Sequence, residues 1–365
     1  MRCYGSEPGR HNERHILTVS NNKRSKKRVT MSDIGREAGC SQATVSIVLG
    51  HNDSVQISGA LRTKVLRVAK EMGYQIVPKR TAEITPVFTR VAFVIDSLTT
   101  SPEAIVAIEG VRQALSSTNA LLVITETGND PTLEPFALQT MIDDGEDVII
   151  YACIVTRMVA LPPVLQKTKV PVVLLNCYTD EWRHPSVQPS EIAGGTRATG
   201  VLLEAGHIRI GTITGEDFME ATQDRLTGYR RAIASADIAF DHKLVVKGDW
   251  SVSAGFEGTR KLMSLASPPT AIFCQNDRMA VGCYEYLKEH GYVIPRDVSV
   301  VGYDDEEISR HLSPPLTTLV LPHRAMGRWA IEQLQLAHPF DEKPTKLECL
   351  LIERASVATV KPDHN

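Results

Sequence analysis

Thr30-Met31-Ser32-Asp33-Ile34-Gly35-Arg36-Glu37-Ala38-Gly39-Cys40-Ser41-Gln42-Ala43-Thr44-Val45-Ser46-Ile47-Val48-Leu49 reads as two short helices around a tight turn. Thr30 with Asp33 three residues on is the pattern of a capping box, and Ile34, Glu37 and Ala38 follow at helical spacing. Gly39 can take the left-handed conformation that ends a helix without a Cβ penalty. Ser41 then caps a second helix, on which Val45, Val48 and Leu49 form an apolar stripe. Ser58 starts a third helix, with Leu61, Val65, Val68, Ala69 and Met72 on one face and Gly73 as its stop. Helix, glycine turn and capped helix make a helix-turn-helix, whose second helix enters the DNA major groove. Gln42, Ala43, Thr44 and Ser46 then stand at the exposed start of that helix, where short polar side chains reach base edges.

An ordinary amphipathic three-helix segment would share this pattern, and charge separates the two readings. Residues 1–80 hold 15 Lys+Arg against 6 Asp+Glu, a net of +9, whereas the remainder carries −12. A basic end on an acidic body is the footprint of a polyanion binder, because each phosphate contact releases counterions.

Val29-Thr30-Met31-Ser32-Asp33-Ile34 running into Arg36-Glu37-Ala38-Gly39, then Ser41-Gln42-Ala43-Thr44-Val45-Ser46 and Met72-Gly73-Tyr74, closely resembles the headpiece of the lactose/galactose repressor family. The order and spacing match as well as the residues. The resemblance implies base and phosphate contacts from Thr30, Ser41, Gln42, Ala43, Thr44, Ser46, Ile47 and Ser58, with Lys79 and Arg80 meeting phosphates beyond the headpiece. Ile47 stands where many members of that family carry arginine, so a charged contact gives way to an apolar one of the kind that meets a thymine methyl.

The rest of the amino-terminal region is less regular. Residues 1–28 lack periodicity and end in Lys23-Arg24-Ser25-Lys26-Lys27-Arg28, read either as a disordered basic arm on phosphates or as a solvated tail. Residues 75–89 are expected to link the headpiece to the following domain, and here the chain departs from the family it resembles. The usual Pro-Asn is missing, threonines replace good helix formers, and Pro86 closes the segment early, so no ordered hinge helix is expected. Ile84 is the one residue there that could wedge into a minor groove.

From Arg90 onward, short β-rich runs alternate with segments long enough for helices: 91–95, 121–124, 148–150, 172–175, 210–213, 244–246, 271–273 and 298–301. Such repetition gives parallel sheets with right-handed crossovers, and the number of units suggests two doubly wound sheets with a cleft between them. Ligands bind beyond the carboxyl ends of strands in such sheets, which draws attention to Asp96, Ser97, Asn176, Asn276, Asp277, Asp304 and Asp305. Asp277 and Asp305 are also expected to cap the helices that follow them, and His207 to anchor a turn.

The resemblance continues through Arg225-Leu226-Thr227-Gly228-Tyr229, Gly248-Asp249-Trp250, Asn276-Asp277, Val300-Val301-Gly302-Tyr303-Asp304-Asp305 and Pro315-Leu316-Thr317-Thr318. It implies a small all-α helix-turn-helix headpiece plus an α/β periplasmic-binding-protein-like domain of two doubly wound parallel-sheet lobes. Three crossings are expected near Val187, Leu321 and Pro339. By the resemblance Asn176, Arg225, Trp250, Asn276 and Asp304 line an effector pocket, joined by Asp96 and Ser97 from the strand-end rule. Carboxylates, amides, an arginine fork and an indole suit a sugar. Leu321 stands where some sugar-responsive members carry glutamine.

The expected organisation is therefore an arm at 1–28, a DNA-binding headpiece at 29–74, a linker at 75–89, an effector-binding and dimerisation domain at 90–356, and a tail at 357–365. The expected partners are a double-stranded DNA operator, a sugar effector and a second copy of the chain, with no membrane, metal or cofactor. The polar, basic start holds no apolar signal core and points to the cytoplasm. The seven cysteines form no Cys-x-x-Cys pair and are expected as reduced thiols. A sugar-binding transport receptor would share the large fold but give the basic headpiece no purpose. An enzyme would need a nucleophile with a base, a metal set or a phosphate-cradling loop, and the sequence offers none of these patterns.

Overall fold

A computed structural model describes residues 30–49, 59–72, 89–98, 102–181, 183–335 and 343–360. The chain divides into two compact units, Met1–Lys79 and Arg80–Asn365. The arm, Ser58, the helix stop Gly73, residues 75–88 of the linker with Lys79 and Arg80, and Pro339 lie outside the described residues.

The first unit holds α1 (Met31–Ala38), α2 (Gln42–Leu49) and α3 (Gly59–Glu71). The capping box at its start is complete: Thr30 Oγ1 accepts from the Asp33 amide at 3.3 Å, and the Asp33 carboxylate accepts from the Thr30 amide at 3.0 Å. Gly39 ends α1 at φ 70°, and the next amide, Cys40, donates back to the Gly35 carbonyl at 2.9 Å. Ser41 Oγ takes up the Thr44 amide at 3.1 Å, satisfying one of the donors that the start of α2 leaves without an intrahelical partner. Ile34, Ala38, Val45, Val48, Val65, Val68 and Ala69 close the core, on the stripes read from the sequence.

The second unit begins with β1 (Arg90–Ile95), α4 (Glu103–Ala114), β2 (Leu121–Glu126), α5 (Leu133–Asp143), β3 (Val148–Met158), α6 (Pro163–Lys167), β4 (Val172–Tyr178) and β5 (Ser186–Pro189). It continues through α7 (Glu191–Glu204), β6 (Ile210–Thr214), α8 (Glu220–Ser235), β7 (Val245–Lys247), α9 (Val252–Met263), β8 (Ala271–Cys274), α10 (Asp277–Glu289), β9 (Ser299–Val301) and α11 (Ile308–His311). It closes with β10 (Thr318–Val320), α12 (His323–Leu334), β11 (Thr345–Leu347) and β12 (Leu350–Ile352). All eight apolar runs are strands. Strands β1, β3, β4, β6, β8 and β9 are largely buried on both faces and need apolar side chains almost throughout, whereas β2 and β7 are half-exposed edge strands.

Two parallel sheets result, in the orders β11-β5-β4-β3-β1-β2 and β7-β6-β8-β9. Each is doubly wound about its first strand, so the carboxyl ends of β1 and β3, and of β6 and β8, flank a switch point. The backbone passes between lobes three times: between β5 and α7, at Leu321-Pro322 between β10 and α12, and between β11 and β12. Met326, Ala330 and Ile331 of α12 pack with Ala104, Ala107 and Val111 of α4, and β11 adds to the first sheet beside β5. The third crossing therefore falls at Glu348-Cys349 rather than near Pro339, because the chain first returns to the edge of the first sheet. The six described cysteines are free thiols. Among the described residues no helix is long and apolar enough to cross a membrane.

Candidate ligand cavity and nucleic-acid interface

A cavity of about 230 Å³ opens where the strand ends of the two lobes face one another. Its walls come from the end of β3 at Ile154 to Thr156, from Asn176 in β4, and from Pro189 and Glu191 at the first crossing. Met219, Arg225, Trp250, Asn276, Arg278, Asp304 and Glu306 form the facing wall. Leu321 and His323 enter from the second crossing, and Glu103 from the first turn of α4.

Five expected residues thus meet on one cavity, but the protein already uses much of their bonding capacity. Asn176, at φ 59°, donates from Nδ2 to the Cys153 and Ile154 carbonyls, both at 3.0 Å, and accepts from Thr156 Oγ1 at 2.5 Å. It thereby fastens the irregular stretch of β3 between Ala152 and Arg157. Asn276 is the cap of α10, accepting from the Met279 amide at 2.8 Å while donating to the Trp250 carbonyl at 3.0 Å. The Arg225 fork donates to both oxygens of Glu191, at 2.8 and 2.9 Å, and its Nη1 to the Gln275 carbonyl. The Tyr303 ring lies 3.8 Å below the guanidinium carbon. Trp250, at φ 69°, rests its indole on Gly215, where an added Cβ would come within 1.9 Å of the ring.

Asp304 differs from these. It is held at φ 113°, a conformation that side-chain-bearing residues rarely adopt, and its side chain is only 9% exposed. Oδ1 stands 3.7 Å from Arg225 Nη1 but has no hydrogen-bond partner among the described residues. Burial raises its proton affinity well above that of an ordinary aspartate, against the pull of Arg225.

Asp96 and Ser97 do not line the cavity. The Asp96 carboxylate accepts from the Ser97 amide at 2.8 Å and the Ile154 amide at 2.9 Å and faces Arg157 at 2.8 Å, so it joins β1 to β3. Asp277 and Asp305 are not caps either. Asp277 is buried, accepting from Thr318 Oγ1 at 2.6 Å and the Glu306 amide at 2.9 Å, and burial pushes its pKa up to about 8. Asp305 meets Arg310 and Arg354, while the N-cap of α11 is Glu307, which makes no side-chain capping bond. His207 anchors its turn as expected, with Thr270 Oγ1 at 2.9 Å and Ser299 Oγ at 3.0 Å.

Five titratable wall residues escaped the sequence reading: Glu103, Glu191, Arg278, Glu306 and His323. None directly follows a strand. His323 is 5% exposed and neither ring nitrogen has a partner among the described residues; burial lowers its pKa to about 4.

In the headpiece, Ser41 and Gln42 are exposed at the start of α2, whose first turn holds no acidic residue, and Thr44 is half-buried. That terminus presents amide donors and the positive end of the helix dipole. Ala43, Ser46 and Ile47 fall on α2 as well. Thr30 is exposed, with its hydroxyl donating to Asp33 at 2.7 Å.

A helix-turn-helix headpiece followed by two parallel-sheet lobes around a polar cavity defines a class of DNA-binding regulator with a ligand-binding body. Residues 30–76 match the model of bacterial regulatory proteins of the lacI family, and residues 199–357 that of the periplasmic binding protein-like domain. The chain is 33% identical over 336 residues to the ribose operon repressor of Haemophilus influenzae, covering 91% of this chain and 99% of that protein. It is 30% identical over 339 residues to the transcriptional repressor CytR of Escherichia coli, covering 92% and 98% respectively. Among solved structures, the transcriptional regulator CelR in complex with cellobiose superposes with a TM-score of 0.63 at 31% identity, over 90% of this chain and all of that one. A lac repressor dimer bound to operator shares the fold, at 24% identity and a TM-score of 0.60 over 91% of this chain and all of that one. The chain belongs to the lacI family, and it is a DNA-binding regulator of transcription.

Proposed function

We propose that the protein represses transcription as a homodimer on an operator of two half-sites, and that a sugar-sized ligand in the cavity controls its hold on DNA. The observation that carries the ligand reading is the set of buried polar atoms lining the cavity that have no hydrogen-bond partner among the described residues: Glu103 Oε2, Asp304 Oδ1 and both nitrogens of His323. Buried polar groups are nearly always satisfied, so groups left over in a cavity mark where a ligand bonds. The relatives support the class of ligand: one is named a ribose operon repressor, and another was solved with cellobiose.

In this reading Gln42, Ala43, Thr44, Ser46 and Ile47 meet bases, while Thr30, Ser41, Ser58, Lys79 and Arg80 meet the backbone. Asp304, Arg225 and Trp250 meet the ligand, and Asn176 and Asn276 hold the walls. Residues 90–356 provide the dimer, which sets two headpieces about one helical turn of DNA apart. The ligand acts only through its differing affinity for the DNA-competent and DNA-incompetent forms. A DNA target implies a cytoplasmic site of action, and no catalysis is part of the reading.

The test is selection of bound duplexes from a random pool with the full chain, followed by operator titrations with a sugar panel. A palindromic site whose affinity changes with one sugar is the expected result. A site that no sugar affects would remove the control by ligand, and absence of any enriched site would remove the operator.

A further inference from the structure

We propose that the effector carries a positively charged nitrogen, received between Glu103 and Asp304. The inference rests on the reading of the cavity as an effector site and names the chemistry of what enters it.

The charges on the wall do not balance. Glu103, Glu191, Asp304 and Glu306 face two cations, Arg225 and Arg278. Arg225 is committed to Glu191 through two hydrogen bonds, and Arg278 to Glu306 at 3.0 Å. Glu103 and Asp304 are left, with one oxygen from each and one from Glu306 lying within 4.8 Å of one another. Glu103 Oε2 and Asp304 Oδ1 are both buried, and neither has a hydrogen-bond partner among the described residues. Arg225 stands 3.7 Å from Asp304, too far for a hydrogen bond, and gives three of its five N–H donors to Glu191 and the Gln275 carbonyl. His323, buried and lining the same cavity, adds a neutral ring that brings no compensating charge.

Two carboxylates this close cannot both ionise cheaply in a partly desolvated site unless a cation joins them. The raised proton affinities of Glu103 and Asp304, with burial the largest cause of each, agree with that geometry. A neutral polyol would give them O–H donors and leave the charge standing. A phosphorylated or carboxylated ligand would add to it. A primary ammonium brings one positive charge and three N–H donors in a compact group, which meets both deficits. An amino sugar is the ligand class that combines this group with the polyol surface suited to Trp250.

The experiment compares ethanolamine, ethylene glycol and glycolate, which are alike in size and differ in charge, by thermal unfolding of the full-length protein at neutral pH. D-glucosamine, D-glucose and D-glucose 6-phosphate are run beside them, with operator affinity as a second readout. Ethanolamine and glucosamine are expected to raise Tm above their neutral counterparts, and glycolate and the phosphate to do nothing. In Glu103→Gln, and separately in Asp304→Asn, the preference for the amine should fall at least about tenfold, as loss of a charge-assisted bond requires. Equal stabilisation by the neutral probes, preference for the anions, or no response to either amine would overturn the proposal. Stabilisation by Ca²⁺ or Mg²⁺ that disappears in Glu103→Gln would assign the carboxylates to a metal instead. A neutral sugar that shifts operator affinity while both amines are silent would defeat the charge assignment and leave the effector reading intact. Silence of every ligand in both readouts would defeat the two together.

Discussion

Arg225 and Glu191 form a two-bonded ion pair across the start of the second lobe, Nε and Nη2 donating at 2.8 and 2.9 Å, with the side chains 5% and 4% exposed. Tyr303 donates to the same Glu191 carboxylate at 2.8 Å and stacks beneath the guanidinium. The arginine that resembles a ligand contact is thus first a structural tie between α7 and α8. Removing one member leaves an uncompensated buried charge, which costs about 3–5 kcal/mol. Arg225→Met should therefore shift urea unfolding of the large domain by that amount, and the double variant with Glu191→Met should recover a large part. A single variant as stable as the wild type would show that the pair contributes nothing to the fold and serves ligand alone.

How much of this was legible follows from how local each determinant is. Thr30, Gly39 and Ser41 act on amides within a few residues, so the headpiece could be read directly. Most of the eight apolar runs were legible because burial on both faces imposes an unbroken pattern; the edge strands β2 and β7 are apolar without being fully buried. Ser186-Val187-Gln188-Pro189 was not, since this strand is buried through neighbouring chain segments and its own side chains are mixed. In the cavity, the strand-end rule with the family resemblance reached Asn176, Asn276 and Asp304. It failed at Asp96 because the Ile154 amide and Arg157, some sixty positions away, claim that carboxylate. Glu103 and His323 stand in the first turns of α4 and α12, and no spacing in the sequence says that those turns converge.

Gly215 supports the Trp250 indole directly. Gly215→Ala would bring a methyl within 1.9 Å of the ring, which must move. The variant should fold, bind operator as the wild type does, and respond to effector at concentrations at least about tenfold higher, since displaced contact residues cost about 1–3 kcal/mol in a small pocket. Dose–response curves of operator release measure it. An unchanged midpoint would show that the indole does not meet the ligand.

Gln42 and Ser41 separate reading from folding in the headpiece. Gln42 is exposed at the first position of α2, so Gln42→Ala should cost about 1–3 kcal/mol of discrimination between the selected operator and a single-base variant, with the salt dependence of binding unchanged. Ser41→Ala removes the bond to the Thr44 amide and should cost about 1 kcal/mol of headpiece stability. Equal loss on all sequences from Gln42→Ala would make its contact a backbone contact.

His323 gives the protein an acid limb of instability. The unfolded chain takes up a proton on this residue as pH falls below 6.5, whereas burial holds off protonation of the folded form until about pH 4. Folding therefore loses stability as pH falls through this window, by up to about 3 kcal/mol, and the loss is absent above it. Unfolding of wild type and His323→Leu should be compared at pH 7.5, 5.5 and 4.5. The difference between them should shift in favour of the variant as pH falls, because leucine has no proton to gain. A difference that stays constant across the three values would mean that the folded protein protonates His323 as readily as the unfolded chain does, and that the ring reaches water or a counter-charge through the cavity mouth.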